Sequence, residues 1–265
     1  MPSLLKHLIS GVTPLLLLFR QRFLIAQLVR RDIVSRTRGT WLGWVWLIAQ
    51  PALQVIGFWF LLDIVFQVRS PGQVRYLNYF LIGMLPWLYV SDVLNRSINI
   101  LTEFGSLYQR SRFPVAILPL LPMVLGLLIY LPVYIGVAIY FQDWQAGFKA
   151  LVIQLLLFVW IIPFAYSLSV FGLFVREVRQ VLPFLLTMLM YVTPILYAPA
   201  SLPESIRWAL SLNPLADVMA LIQGWIHGLP IEPGNWLRPL LLWLLLLTPS
   251  WILFRRTEPH MREVL

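Results

Sequence analysis

Long uncharged stretches dominate the hydrophobic pattern of this chain, and their lengths decide what they are. A helix needs roughly 20 apolar residues to cross a hydrocarbon core, each adding about 1.5 Å. Thr40 to Leu62 is uncharged and ends at Asp63; Tyr76 to Ser91 is uncharged and extends past Asp92 and Arg96 to about Leu101. Phe113 to Gln142 and Ala150 to Val175 are each long enough to span even with tilt or a kink. Gln180 to Pro203 is the fifth stretch, and Trp236 to Phe254, interrupted by Arg238, is the sixth. The pattern predicts an all-α integral membrane protein, with residues 1–265 forming a single membrane domain. Its six transmembrane helices are expected at approximately 41–66, 77–101, 114–141, 150–174, 180–199 and 236–254. Pro51, Pro86, Pro119, Pro122, Pro132, Pro163, Pro183 and Pro194 lie in or near these runs, predicting kinked or broken helices.

Two further segments are apolar but do not fit a span. Leu8 to Phe19 is short and preceded by Lys6, like a signal-peptide core, yet Arg20, Gln21 and Arg22 stand where a small-residue cleavage site belongs. Thr13 before Pro14 suits an N-cap and first helical residue, opening a helix over 14–31 with Arg20, Gln27 and Arg31 on one stripe. An amphipathic helix lying in the cytoplasmic interface is expected there. Between the fifth and sixth spans, Ser205 to Leu212 and Ala216 to His227 flank Asn213-Pro214. Each predicts a short external helix at the membrane surface, within 205–227.

Composition agrees and adds direction. With 60% hydrophobic and 12% charged residues, a water-soluble globule is excluded. The net charge is +9, and of the 20 basic residues only Lys6 and Lys149 are lysine. Fourteen of the 20 fall on one side of the six-span arrangement and five on the other, with Arg96 inside a span. Positive charge accumulates on the cytoplasmic side, so both termini are expected there. The absence of Cys removes disulfides, iron–sulfur clusters and thiolate zinc sites, and the three His residues are far apart. No Walker-type lysine motif is present, so ATP hydrolysis is not expected on this chain.

Three features could carry chemistry. Asp92 and Arg96, four apart within a span, share a helix face; they form either a structural intramembrane pair or part of a polar conduit. Aromatic residues near span ends fit an interfacial belt; some of them, with Trp41, Trp44, Trp87, Tyr89, Tyr191 and Tyr197 as candidates, could line a path for sugars. Arg30, Arg31, Arg36 and Arg38 crowd the approach to the first span. They serve as positive-inside anchoring, or their guanidinium forks hold a phosphate or pyrophosphate headgroup. Nucleic acid fits poorly, because the cluster lies beside the bilayer with no soluble domain.

Four blocks of sequence resemble the permease subunit of ATP-binding-cassette exporters for bacterial cell-surface polysaccharide, the group that includes O-antigen, capsule and teichoic acid exporters. The first is Arg31-Asp32-Ile33 followed by Arg36-Thr37-Arg38-Gly39-Thr40-Trp41-Leu42-Gly43-Trp44-Val45-Trp46 through Gln50-Pro51. The second is Phe113-Pro114 through Ile117-Leu118-Pro119. The third runs from Arg176-Glu177-Val178-Arg179 past Pro183 to Thr193-Pro194-Ile195, and the fourth joins Asn213-Pro214-Leu215 to the tail from Glu258-Pro259 to Leu265.

The resemblance implies a homodimer of six-span subunits served by two copies of a separate cytoplasmic ATPase. ATP and magnesium would bind that partner, and this chain would carry no cofactor or metal. It also implies an interface helix at about Pro14 to Arg31, a coupling helix at about Thr102 to Arg112 and external gate helices between Ser205 and His227. Glu103, Tyr108, Arg110 and Arg112 would contact the ATPase, whereas Val115 and Ala116 stand where relatives often carry charge. The expected function is export of a lipid-pyrophosphate-linked polysaccharide, O-antigen first, across the bacterial inner membrane. Capsule, teichoic acid, a smaller lipid or a drug are the alternatives. An integral-membrane glycan transferase is a weaker one, requiring a catalytic cluster from Asp92 with Arg96 and external acids such as Asp143, Glu204, Asp217 and Glu232.

Overall fold

The computed structural model describes residues 13–67, 76–105, 113–197 and 208–264, with isolated positions 199, 202, 203 and 205. The described residues are helical throughout the bundle, with no strand among them. Helix α1 (Thr13–Arg20) and helix α2 (Arg22–Thr37) meet at Gln21, whose φ of −107° and ψ of 20° interrupt what the sequence suggests is one helix over 14–31. Helix α2 continues past Arg31 because no Gly or Pro stops it before Gly39, which takes a φ of +77°. Ile25, Leu28, Val29 and Asp32 are its buried residues, at the i, i+3, i+4, i+7 spacing of one helix face. That face packs on helix α5 (Leu120–Phe141).

Helix α3 (Val45–Trp59) continues as a π-helical segment over Phe60–Val65, and neither part has a buried residue. Trp59 Nε1 donates to Asp63 Oδ2 at 3.0 Å across this wider turn. Helix α4 (Tyr76–Ser97) is the opposite case. It is buried along most of its length and touches α5, helix α6 (Trp144–Phe174), helix α7 (Arg176–Val192) and helix α8 (Pro214–His227). Helices α5 and α6 form a tight antiparallel hairpin, with Asp143 capping α6 by accepting from the Ala146 backbone N–H at 2.8 Å. Helix α9 (Pro233–Thr257) closes the bundle against α6 and α8. Pro51, Pro86, Pro132, Pro163 and Pro183 all sit inside continuous helices, so none of them breaks its span.

Five described helices are long and apolar enough to cross a membrane: Val45–Val65, Tyr76–Ser97, Val115–Tyr140, Trp144–Phe174 and Pro233–His260. The stretch expected as a span over 180–199 is α7, which starts earlier and ends at Val192, 17 residues or about 25 Å long. It stops because Thr193 precedes Pro194 and takes an extended ψ of 136°. Asn213 then caps α8 by accepting from the Leu215 N–H, with Pro214 at the first helical position. Its Nδ2 donates to Thr193 Oγ1 at 2.9 Å, so the Thr193-Pro194 and Asn213-Pro214 motifs meet in space. Gly228, with a φ of +69°, ends α8. Of the earlier short external helix, Trp208–Leu212 is described, as a 3-10 turn.

Helix α8 is tied to the rest by Gln223 Nε2, which donates to the Tyr79 carbonyl at 2.8 Å, and by His227, whose Nδ1 lies 2.5 Å from Gln142 Nε2. Burial, with the nearby Lys149 ammonium adding to it, lowers the pKa of His227 from 6.5 to about 4. The unfolded chain therefore takes up this proton below pH 6.5 while the folded chain refuses it until about pH 4. His227 contributes no pH dependence above that window and costs stability as pH falls through it. In thermal unfolding, the loss of Tm between pH 7 and pH 4 is expected to be smaller for His227→Gln than for the parent chain.

Gly172 in α6 has the least room for a side chain of the described glycines. A Cβ there would lie 1.8 Å from the Ile98 carbonyl oxygen at the end of α4. Arg179 braces the same junction, donating to the Gly172 carbonyl and, at 2.8 Å, to Thr102 Oγ1. Gly172→Ala is expected to destabilise the protein by at least about 1–3 kcal/mol, the usual cost of overpacking, read as a lower Tm in detergent.

Candidate functional site

A cavity of about 410 Å³ opens between α3, α4, α5 and α7. Its polar wall is built from two helical spacings. Gln50 and Gln54, four apart, share one face of α3; Ser91, Asp92, Asn95 and Arg96 share one face of α4. Trp87, Tyr130, Met190 and Tyr191 supply aromatic and apolar surface, and Arg36 from α2 closes the basic end. In an otherwise lipid-soluble bundle, amides and charges on facing helices are costly unless they pair or meet water, so their convergence marks a polar path.

The charges at this end form a network. Asp32 is 7% exposed. Its Oδ1 accepts from Arg36 Nε at 2.8 Å, and its Oδ2 accepts from Arg96 Nη2 at 2.5 Å. Arg36 also approaches Glu103 at 4.0 Å. Arg96 occupies the last turn of α4, where the helix dipole favours a cation. Its Nε and the Asn95 Oδ1 are buried without a partner.

The structure thus reassigns the intramembrane pair read from sequence. Arg96 takes Asp32 of α2 as its carboxylate partner, while Asp92, one turn deeper, lines the cavity. The physical reason is that Asp32 lies on the buried stripe of α2, where an unpaired carboxylate would be costly, and Arg96 is the cation that reaches it. A carboxylate four residues before Arg36 was the available clue.

The arginine cluster is divided between two faces of α2. Arg30, Arg31 and Arg38 line an outward groove of about 450 Å³ with Gln27, Val34 and Ser35, whereas Arg36 turns inward to the cavity. Of the candidate channel aromatics, Trp87, 2% exposed, and Tyr191 line the cavity. Tyr89 is core, its hydroxyl donating to the Met123 carbonyl at 3.5 Å, and Trp41 and Trp44 stand exposed before α3. Tyr197 is half-buried, its hydroxyl donating to the Val192 carbonyl. Glu103 sits at the end of the single turn Ile100–Glu103, while Tyr108, Arg110 and Arg112 lie outside the described residues. Sequence reasoning missed Tyr130, Gln50, Gln54 and Asn95; two glutamines four apart in an apolar run were the signal.

Comparison with known proteins follows the same lines. A family model described as ABC-2 type transporter matches residues 24–226. The O-antigen export system permease protein RfbA of Myxococcus xanthus is 27% identical over 222 residues, covering 80% of this chain and 84% of its own. An O-antigen export system permease protein RfbA of Klebsiella pneumoniae is 24% identical, covering 74% of this chain and 77% of its own. The polysialic acid transport protein KpsM of Escherichia coli is 26% identical, covering 76% of this chain and 80% of its own.

Asp32 and Asp92 should separate under mutation. Arg96→Ala leaves Asp32 buried with only Arg36 and is expected to cost about 3–5 kcal/mol. Asp92→Asn is expected to cost about 1 kcal/mol or less, because no ion pair is broken. Thermal unfolding of the detergent-solubilised variants checks both.

Proposed function

Because the chain belongs to the ABC-2 type transporter family, we propose that it exports a lipid-pyrophosphate-linked polysaccharide, O-antigen first among the candidates, across the bacterial cytoplasmic membrane. The family is one of transporter permeases, so the chain itself is not an enzyme. In this reading two copies of it, each with six spans and both termini in the cytoplasm, work with two copies of a separate ATPase. ATP and magnesium bind that partner.

The observation that carries the proposal is the polar cavity with guanidinium groups at one end. Amides, hydroxyls and the aromatic faces of Phe58, Trp87, Tyr130 and Tyr191 offer a glycan weak, repeated contacts that tolerate sliding. Arginines at the basic mouth suit a diphosphate headgroup. The names of the Myxococcus and Klebsiella relatives favour O-antigen; that of the Escherichia relative, a polysialic acid transport protein, supports an acidic polysaccharide as the second substrate. Capsule, teichoic acid and smaller lipids or drugs would use the same architecture.

A membrane transferase is a poorer fit, because three of the external acids it would need have structural roles, while Glu204 lies outside the described residues. Asp143 caps α6, Glu232 caps α9, and Asp217 is held by Asn235 at 2.8 Å and Arg238 at 3.5 Å. Among the described residues, no group of three or more His, Asp or Glu could hold a metal ion.

Arg36→Ala combined with Arg38→Ala removes one guanidinium from each face of α2. Surface polysaccharide is expected to fall by roughly fivefold or more, the effect of about 1 kcal/mol in headgroup affinity, with membrane insertion unchanged. Unchanged export would sink the headgroup role. Deleting the gene and blotting for surface polysaccharide tests the exporter reading itself; undiminished polysaccharide would refute it.

A further inference from the structure

Arg36 and Arg96 stand between a buried carboxylate and the cavity. Both line the cavity, and both donate to Asp32, which lies behind them and does not line it. Asp32 divides its two oxygens, one to each arginine, and this leaves a surplus of donors. The Arg96 Nε–H is buried with no acceptor, although the group is charged and most of its side chain is out of water. Native structures rarely leave a charged donor in this state unless something else completes it. A phosphoryl group offers three oxygens and more negative charge than a carboxylate, in a geometry that two guanidinium forks match. The Arg36 side chain, 35% exposed, gives such a group an open approach from the cavity side.

We propose that Arg36 and Arg96 form the subsite for the diphosphate of the exported lipid, that Asp32 is its resident counter-ion, and that diphosphate binding displaces Asp32. The inference rests on the exporter reading above and adds which residues take the headgroup and what the headgroup sets in motion. It places the phosphate on the inner face of α2, not in the outer groove of Arg30, Arg31 and Arg38.

Displacement has a mechanical result. The Asp32 to Arg96 pair is an ion pair joining α2 to α4. When the diphosphate takes Arg96, α2 loses that ion pair to α4 and is held against the bundle mainly by apolar contacts, Ile25, Leu28 and Val29 foremost. Arg36 also faces Glu103, at the end of the turn that leads out of α4. Occupancy of the cavity is thereby coupled to the position of the interface helix and to the neighbouring turn, through differential contacts in two states.

The test uses the full chain purified with its ATPase in nanodiscs, with equilibrium binding of farnesyl diphosphate and of inorganic pyrophosphate. Asp32→Asn removes the competing charge and is expected to bind farnesyl diphosphate about tenfold more tightly, the scale of one charge-assisted hydrogen bond. Asp32→Glu, which keeps the carboxylate, is expected to stay within about twofold of the parent. Arg36→Gln, at a half-exposed position, is expected to bind about tenfold more weakly while remaining folded, with a smaller loss of Tm than Arg96→Ala because Arg96 still meets Asp32.

Equal or weaker binding by folded Asp32→Asn overturns the proposal. If Asp32→Asn does not purify as a folded protein, Arg36→Gln alone decides, and undiminished affinity overturns the subsite. Tightening seen with pyrophosphate but absent with farnesyl diphosphate assigns the arginines to a free anion and overturns the lipid assignment. Unchanged binding in Asp32→Asn, in cells whose polysaccharide export is intact, overturns the counter-ion inference and leaves the exporter reading standing.

Discussion

One carboxylate held between two guanidinium groups fastens α2 to α4, a helix long and apolar enough to cross a membrane. Asp32 could not lie on the buried stripe of α2 without a cation to meet it, and Arg96 could not end α4 under that stripe without an anion. Their meeting sets the rotation of α2, and that rotation divides the arginines. Arg36 is turned toward the cavity, whereas Arg30, Arg31 and Arg38 are turned away from it. The basic mouth of the cavity is therefore a result of how one ion pair orients a helix. The local density of arginine would not produce it alone.

The rest of the bundle holds α4 still so that this arrangement has a fixed reference. Helix α4 is enclosed by α5, α6, α7 and α8, and its end is clasped where Ile98 meets Gly172. At the opposite end, Gln223 binds the Tyr79 carbonyl, and Asn213 binds Thr193. These contacts are short, specific and polar, placed where two helices must stop relative to each other. Between them the packing is apolar and broad, as in the T-shaped contacts of Tyr166 with Trp251 and Phe254. A rigid central helix bordered by a loosely packed first span is how the chain keeps a polar space open inside an apolar body.

Length and hydrophobicity made most of the fold readable before any coordinates. Runs such as Ala150 to Val175 admit little except a spanning helix, and Asn213-Pro214 announces a helix start through capping chemistry alone. What could not be read was rotation. Asp92 and Arg96 satisfy the i, i+4 rule, and so do Asp32 and Arg36; only the tertiary meeting of α2 with α4 shows that Arg96 goes to Asp32. The aromatics show the same limit, since Trp87 and Tyr89 are two residues apart in one helix yet one faces the cavity and the other the core. Prolines divide: Thr193-Pro194 ends α7, whereas others are absorbed. Pro86 and Pro163 sit in helices whose neighbours surround them, so the lost hydrogen bond does not end the helix.

Helix α3 has no fully buried residue. Only partly buried residues such as Val55, Phe58 and Leu62 pack it on the core, so much of its surface is left to the bilayer. A helix with so little burial must be soluble in lipid largely on its own. Gln50 and Gln54 are the limit on that independence, because two amides facing acyl chains are tolerable only for a helix that is otherwise apolar. The same two residues that make one wall of the cavity hospitable to sugar thus decide how willingly α3 enters the membrane. Any change that makes the cavity more polar through this helix is paid for at the moment of insertion.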